Sequence, residues 1–224
     1  MKHCVIGLGQ VGTGVQKVLE CEGIDSNDVV PQTDVIHICY SFSDTFVESV
    51  KEYKVKTGAK YAVIHSTVPV GTSTLCGAVH SPIRGVHPFL EKSIRVFVKY
   101  FGGKDAEIMA GEFRSRGIKC VCTEKPETTE LGKLLDTSCY GLNILIEKEM
   151  YRLAQKYGVP HDISYTHMND TYNQGYLDVG MPQFHKYNIQ HMDGKIGGHC
   201  IMQNAELFDS WIADTLKEKN ELYG

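Results

Sequence analysis

Cys200 and Lys133 are the side chains best suited to work on a carbonyl carbon. Cys200 follows Gly197-Gly198-His199 and precedes a helix-like segment. A helix N-terminus and a lysine nearby lower a thiol pKa, and the thiolate is the nucleophile that covalent aldehyde chemistry requires. The alternative is a buried inert cysteine, the commoner fate of a free thiol. Lys133 stands beside Gly132, with Leu131 and Leu134 on either side. The small neighbour permits close backbone approach, and an ammonium in a dry site holds an alkoxide or polarises a carbonyl. The alternative is an exposed helix lysine. Thr137, one turn on, shares that face and offers one donor where an amide would offer two. His87 has the pKa range of a general acid or base, although a hydrogen-bonded loop histidine is the simpler reading.

A second group of residues points to a nucleotide. Gly7-Leu8-Gly9-Gln10-Val11-Gly12 is G-x-G-x-x-G, set between a short apolar strand (residues 2–8) and a helix-like run, TGVQKVLE. Gly7 permits the tight turn, Gly9 lets a pyrophosphate approach the backbone, and Gly12 lets helix and strand pack closely. The helix N-terminus, with Gln10 and Val11 in its first turn, faces the anion. The alternative is a glycine-rich turn without a ligand. Asp25, with Asp28 behind it, is the acid placed for a ribose, against the alternative of a solvated turn acid. No basic residue directly follows Asp25, which favours NAD over NADP. Tyr40 and Ser41, and then Ser66 and Thr67 with Pro69, follow two further apolar strands, at the edge where such sheets bind ligands. A simple turn is the alternative for the Ser66–Pro69 segment.

His185, His191, His199 and Cys200 match no compact zinc spacing, and Cys120-x-Cys122 lacks a partner pair, so no metal is expected.

The elements that must position these residues alternate strand and helix with short links, the pattern of a mostly parallel α/β sheet. DVIHICY (34–40) and KYAVIH (60–65) are buried-strand runs, and 44–57 is helical through Phe46, Val47, Val50 and Tyr53. Only EGIDSNDVVPQT separates the first helix from the next strong strand. That leaves room for a stub at Gly23-Ile24-Asp25 and not for a crossover helix with a third strand. The Rossmann-type sheet is therefore expected to be trimmed at one edge. Residues 84–87 and 94–101 read as strands, 104–116 as a helix and 117–122 as a strand. From 127 to 158 apolar residues recur at steps of three, four and seven, with acids in the first turn and Gly158 and Pro160 behind: a long spine helix. Beyond it 161–179 reads as helical, 180–198 as loop, and 203–219 as an amphipathic helix using Leu207, Trp211, Ile212 and Leu216. The expected division is a dinucleotide-binding domain over 1–125 and a spine helix with a small helical substrate and dimerisation domain over 126–224.

The chain has 224 residues, 42% of them hydrophobic, enough for a real core, and a net charge of −4 that favours neither nucleic acid nor an anionic membrane surface. No apolar run approaches a membrane span, and MKHCVIGLGQVG lacks a signal-peptide cleavage pattern. Eight scattered cysteines fit free thiols in a cytoplasmic protein better than a disulfide frame.

Four segments in order carry a resemblance. GLGQVG, HSTVPVGT, ETTELGKLLDTSCYGLNILIEKEM and GKIGGHCI resemble the nucleotide loop, the S-T-[VI]-P-[VP]-G-T segment, the long helix and the G-x-G-G-[HSY]-C segment of the UDP-glucose/GDP-mannose dehydrogenase family, within the wider 6-phosphogluconate-dehydrogenase-like group. The resemblance places Lys133 on the catalytic lysine, Cys200 on the nucleophile and Glu149 on the asparagine–glutamate end of the helix. It implies NAD-dependent oxidation of a sugar-nucleotide alcohol in two steps, through a thiohemiacetal and a thioester. Lysine and aspartate stabilise charge and activate water, and a helix asparagine assists. The chain departs from the pattern at Thr137, where the asparagine is expected, at Asn204, where the aspartate is expected, and at Gln203. His87-Pro88-Phe89-Leu90 stands near P-E-F-L, with its glutamate missing or displaced to Glu91, and is closer to the histidine–proline turn of prephenate-dehydrogenase-like relatives. A C-terminal nucleotide-sugar domain has no counterpart before Gly224.

The sequence thus leads to an NAD-dependent oxidoreductase acting on an alcohol or aldehyde of a small molecule, with Cys200, Lys133, Thr137 and Asn204 at its catalytic site, expected to be a homodimer through the spine helix. The alternatives are a non-catalytic dinucleotide-binding protein derived from that family, and a two-electron hydroxyacid dehydrogenase using Lys133 alone.

Overall fold

The computed structural model describes residues 1–25, 28–197 and 200–223. The chain divides into two compact units, Met1–Leu134 and Leu135–Gly224.

In the first unit, apolar runs buried on both faces build one sheet. Its strands are β1 (His3–Ile6), β2 (Glu22–Ile24), β3 (Val35–Ile38), β4 (Tyr61–Ile64), β5 (Val79–His80), β6 (Lys99–Gly102) and β7 (Cys120–Thr123). They lie in the order β2-β1-β3-β4-β5-β6-β7. Every neighbouring pair is parallel except β5 and β6. The stub expected near Gly23 is β2, an edge strand paired only with β1, and the chain passes from it to β3 without a crossover helix. The sheet is the trimmed one that the short link dictates.

The pleat sends alternate residues to opposite faces. Val5, Val35, Val63, Val79 and Phe101 pack with α1 (Gln10–Leu19), α4 (Leu90–Val96) and α5 (Ala106–Arg114). Cys4, Ile6, Ile36, Ile38 and Ile64 pack with α2 (Phe46–Thr57) and α3 (Thr72–Cys76). The result is three layers, helix on sheet on helix.

Two strands expected from the sequence are corrected. Residues 84–87 form no strand; Pro82, Gly85 and Pro88 interrupt pairing there, and the backbone turns. Residues 94–101 begin inside α4, because Leu90, Ser93 and Ile94 bury one helical face, and the strand starts only at Lys99.

The spine helix, α6, runs from Pro126 to Tyr157. In the second unit its residues Ile144 and Leu145 pack with Ile196, Ile201, Ala205, Ala213 and Leu216. A π-helical turn (Asp162–His167) leads into α7 (Met168–Asp178), and a short 3-10 turn (Pro182–Phe184) lies in the loop beyond. The expected final helix is two: α8 (Ile201–Ala205) and α9 (Trp211–Asn220). Ser210 breaks the run, its side chain accepting the N–H of Ala213 as an N-cap. Trp211, expected on the apolar face, is 71% exposed, while Ala213 and Leu216 fill the core. Among the described residues no helix is long and apolar enough to cross a membrane.

Candidate functional site

The glycine loop joins β1 to α1. Gly7 has φ 92°, a left-handed conformation that glycine adopts without strain. A Cβ on Gly12 would lie 1.8 Å from the Gly7 carbonyl oxygen, so only glycine fits there. A Cβ on Gly9 would meet nothing within 4 Å. Gly9 opens instead onto a cavity of about 610 Å³ lined by Leu8, Gly9, Gln10, Thr13, Lys17 and the Pro88–Lys92 segment. The N–H groups of the first turn of α1 have no intrahelical partner and face outward as anion donors. These features fit a dinucleotide pyrophosphate.

Asp25 stands at the end of β2, with one carboxylate oxygen accepting the Leu8 N–H at 2.8 Å. Its own N–H donates to Asp28 at 2.7 Å. Asp25 is thus tied to the glycine loop and remains exposed, as a ribose acceptor must be. Tyr40 and Ser66 meet across the β3 and β4 ends, where the Ser66 hydroxyl donates to the Tyr40 carbonyl at 2.5 Å. The Tyr40 hydroxyl donates to Ser49 at 3.2 Å, and burial raises its pKa. Ser41 is exposed and Thr67 half-buried at the same edge. All ten sequence-derived cofactor positions therefore lie in the first unit, from β1 to the loop after β4.

Two residues that sequence reasoning passed over hold this edge together. Glu130, fully buried on α6, accepts the Gly71 N–H at 2.6 Å and the Ser73 N–H at 2.7 Å, capping α3 with a carboxylate. His80 lies between the Thr129 hydroxyl (2.8 Å) and the Ser66 carbonyl (3.2 Å). Burial pushes its pKa down to about 3, with the nearby charges of Lys99 and Lys133 acting in the same direction. Glu130 stands three residues before Lys133, a helix-face spacing that could have marked it. Nothing local marks His80.

Lys133 is half-buried on α6 in the first unit. Cys200, Thr137 and Asn204 belong to the second. Cys200 is exposed at the N-cap of α8 rather than buried. Gly198 and His199 of the same segment lie outside the described residues. Thr137 and Asn204 are brought together in the interior, the Asn204 amide donating to the Thr137 hydroxyl at 3.2 Å. Gln203 is exposed and Glu149 half-buried, the latter paired with Arg152 at 2.6 Å. His87 is exposed, and Glu91 lines the cavity beside Gly9. His191 contacts the buried Glu147 at 2.9 Å and stacks on Tyr151. Among the described residues no group of three or more His, Cys, Asp or Glu side chains is arranged to hold a metal.

No family model matches the chain, and no curated protein matches it by sequence. Solved structures do match. UDP-D-ManNAc dehydrogenase from Pyrococcus horikoshii superposes with a TM-score of 0.73 at 18% identity, over 99% of this chain and 68% of the other. UDP-N-acetyl-mannosamine dehydrogenase from Staphylococcus aureus gives 0.71 at 15% identity, again over 99% and 68%. The 3-hydroxyisobutyrate dehydrogenase of Mycobacterium tuberculosis gives 0.66 at 12% identity, over 99% of this chain and 93% of the other. Over nearly its whole length, then, the chain shares the α/β fold of these dehydrogenase structures.

Proposed function

We propose that the protein is an NAD-dependent oxidoreductase, passing hydride between nicotinamide and the alcohol or aldehyde carbon of a small molecule. The observation that carries this reading is the glycine loop. Gly12 is closed against Gly7 while Gly9 opens onto the cavity, and Asp25 is tied to the same loop. NAD, when bound, supplies the hydride acceptor. Gly7, Gly9, Gln10, Val11 and Gly12 would hold its pyrophosphate, Asp25 a ribose, and Tyr40, Ser41, Ser66 and Thr67 the remaining contacts. Lys133 would hold charge on the substrate oxygen, and the exposed thiol of Cys200 would capture an aldehyde as in UDP-glucose dehydrogenase-like enzymes.

The test is a titration with NADH and NADPH followed by nicotinamide fluorescence. Saturable NADH binding supports the reading, and binding of neither cofactor overturns it. Cys200→Ala then separates mechanisms: the covalent route loses the acid-forming step, whereas a two-electron reaction on Lys133 alone survives.

A second reading, a dinucleotide-binding protein without catalysis, is favoured by the Thr137–Asn204 hydrogen bond. There two of the three departures from the family pattern, Thr137 and Asn204, are bonded to each other. Normal cofactor affinity with no turnover across alcohols, aldehydes and acids would decide for it.

Eight free cysteines support a reducing, cytoplasmic setting. A homodimer through α6 is the expected assembly. The apolar groove of about 660 Å³ in the second unit, lined by Leu142, Ile146, Met150 and Leu222 among others, supports it. A monomer in sedimentation at micromolar concentration would remove the homodimer.

A further inference from the structure

Three histidines cross the interior of the sheet in a row. His3 pairs in register with Val35, and His37 lies two residues further along the same strand. His37 pairs with Val63, and His65 again lies two residues further. Each step moves one strand over and two residues up, so all three rings share one face and run diagonally. The rings are in contact: His3 Nδ1 lies 2.9 Å from His37 Nε2, and His37 Nδ1 lies 3.0 Å from His65 Nε2.

Both ends of the row are occupied. His3 Nε2 lies 2.9 Å from Glu112 Oε2, at the half-buried side of α5. His65 Nδ1 lies 2.7 Å from the Ser81 carbonyl oxygen. Lys99 on β6 reaches this same end, its Nζ 3.1 Å from the Ser81 oxygen and 3.4 Å from His65 Nδ1. Lys99 is 4% exposed, and among the described residues no carboxylate lies within ion-pair distance of it.

Counting protons exposes a mismatch. Between Glu112 and Ser81 there are four contacts, Glu112–His3, His3–His37, His37–His65 and His65–Ser81. Three neutral imidazoles bring one N–H each, so one contact must borrow a proton. Two arrangements supply it. In the first, Lys99 is an ammonium that donates to His65 Nδ1 and the Ser81 oxygen, and every ring carries its proton on Nε2, pointing towards Glu112. In the second, Lys99 is a neutral amine, His65 and His37 carry their protons on Nδ1, pointing towards Ser81, and His3 is an imidazolium against the Glu112 carboxylate.

We propose that Glu112, His3, His37, His65 and Lys99 form a proton relay, a site for one mobile proton that runs from a surface carboxylate to a buried amine. The two arrangements interconvert without change of net charge. Lys99 Nζ gives a proton to His65 Nδ1, His65 Nε2 gives one to His37 Nδ1, and His37 Nε2 gives one to His3 Nδ1. Lys99 loses one proton, His3 gains one, and the other two rings change tautomer. Burial of Lys99 away from any anion favours the neutral amine, and the 2.7 Å contact to Ser81 favours the same arrangement. The charged or titratable groups around the row are Arg116 in the turn after α5, the N-terminal amine, His80, Cys39 and Cys120. The relay climbs to the residue immediately before the Ser66–Thr67 segment, so its charge state is felt at the ligand edge of the sheet.

The test is nitrogen NMR on the full chain labelled at histidine and lysine side chains, held at one pH of about 7 and followed over a range of temperatures, because an exchange that conserves net charge is set by temperature and not by pH. The relay predicts that the ring nitrogens of His37 and His65 exchange protonated for unprotonated character together, in step with the loss of ammonium character at Lys99 Nζ. Rings that keep one tautomer throughout, or that change independently of each other or of Lys99, overturn it. Lys99→Met removes the amine end and is expected to lock His65 with its proton on Nδ1; switching that persists in this variant also overturns the relay. His37→Phe is expected to separate the behaviour of His3 from that of His65, and the lysine variant keeps the test open should the phenylalanine one fail to fold.

Discussion

The amide of Asn204 donates to the hydroxyl of Thr137 across 3.2 Å inside the second unit, with both side chains buried. A buried amide that loses its partner is left with the desolvation cost of an unmade bond. Thr137→Ala, which takes the acceptor from the Asn204 amide, is therefore expected to destabilise the protein by about 1–3 kcal/mol in urea unfolding. In a double-mutant cycle with Asn204→Ala the coupling energy is expected at about 0.5–1.5 kcal/mol. Additive single effects would show that the contact contributes nothing.

The glycine loop separates fold from ligand. At Gly9 a methyl meets only the cavity, so Gly9→Ala is expected to keep the melting temperature and to weaken NADH binding about tenfold or more, roughly 1.4 kcal/mol. At Gly12 a methyl would collide with the Gly7 carbonyl. Gly12→Ala is expected to lower both melting temperature and binding. Equal NADH affinity in wild type and Gly9→Ala would place the cofactor elsewhere.

Glu130 anchors α3 through two backbone N–H groups. Charge-assisted bonds of this kind are the stronger ones, and Glu130→Ala leaves both donors without their acceptor. The expected loss is about 3 kcal/mol, with faster hydrogen exchange at the Gly71 and Ser73 amides. Unchanged exchange at those amides would show that another group caps the helix.

Lys99 makes stability depend on pH with a sign opposite to a salt-bridged lysine. Burial pushes its pKa down to about 7, whereas an unfolded lysine titrates near about 10.4. Between these values the unfolded chain binds more protons, so stability rises with pH. The burden is fully present below about pH 7 and is gone above about pH 10. Lys99→Met is expected to flatten that slope and to stabilise the protein at neutral pH by about 1–4 kcal/mol, measured by urea unfolding at several pH values. A slope unaltered in the variant would assign it to other groups.

Residues buried on both faces made much of the first unit legible. VIHI and YAVI read as strands because they are short, largely β-branched apolar runs in which His37 is the one strongly polar side chain, and GLGQVG stood where the motif has meaning. The stretch from Pro82 to Phe101 misled because VFVKYF alternates locally, while its actual fate depended on Leu90 and Ile94 packing as a helix face. Trp211 misled because helical spacing does not reveal that Ser210 begins a new helix with the tryptophan on its open side. The histidine row was illegible for a different reason. Three histidines on three strands acquire meaning only through register, and register is a property of pairing between strands rather than of any one segment. Thr137 drew attention from its place one turn after Lys133, whereas Asn204, 67 positions away, drew it only through the family resemblance.

The three-residue β2 has one more consequence. A strand at the rim of a sheet presents unpaired N–H and C=O groups that can recruit another chain. Here that rim is brief, and it opens on a charge, Glu22, whose carboxylate lies 3.9 Å from Lys2, immediately before the neighbouring β1. So short and charged a border is a poor template for a foreign strand. The same economy that removes a crossover therefore guards this edge of the sheet, though not the β7 edge, against strand addition.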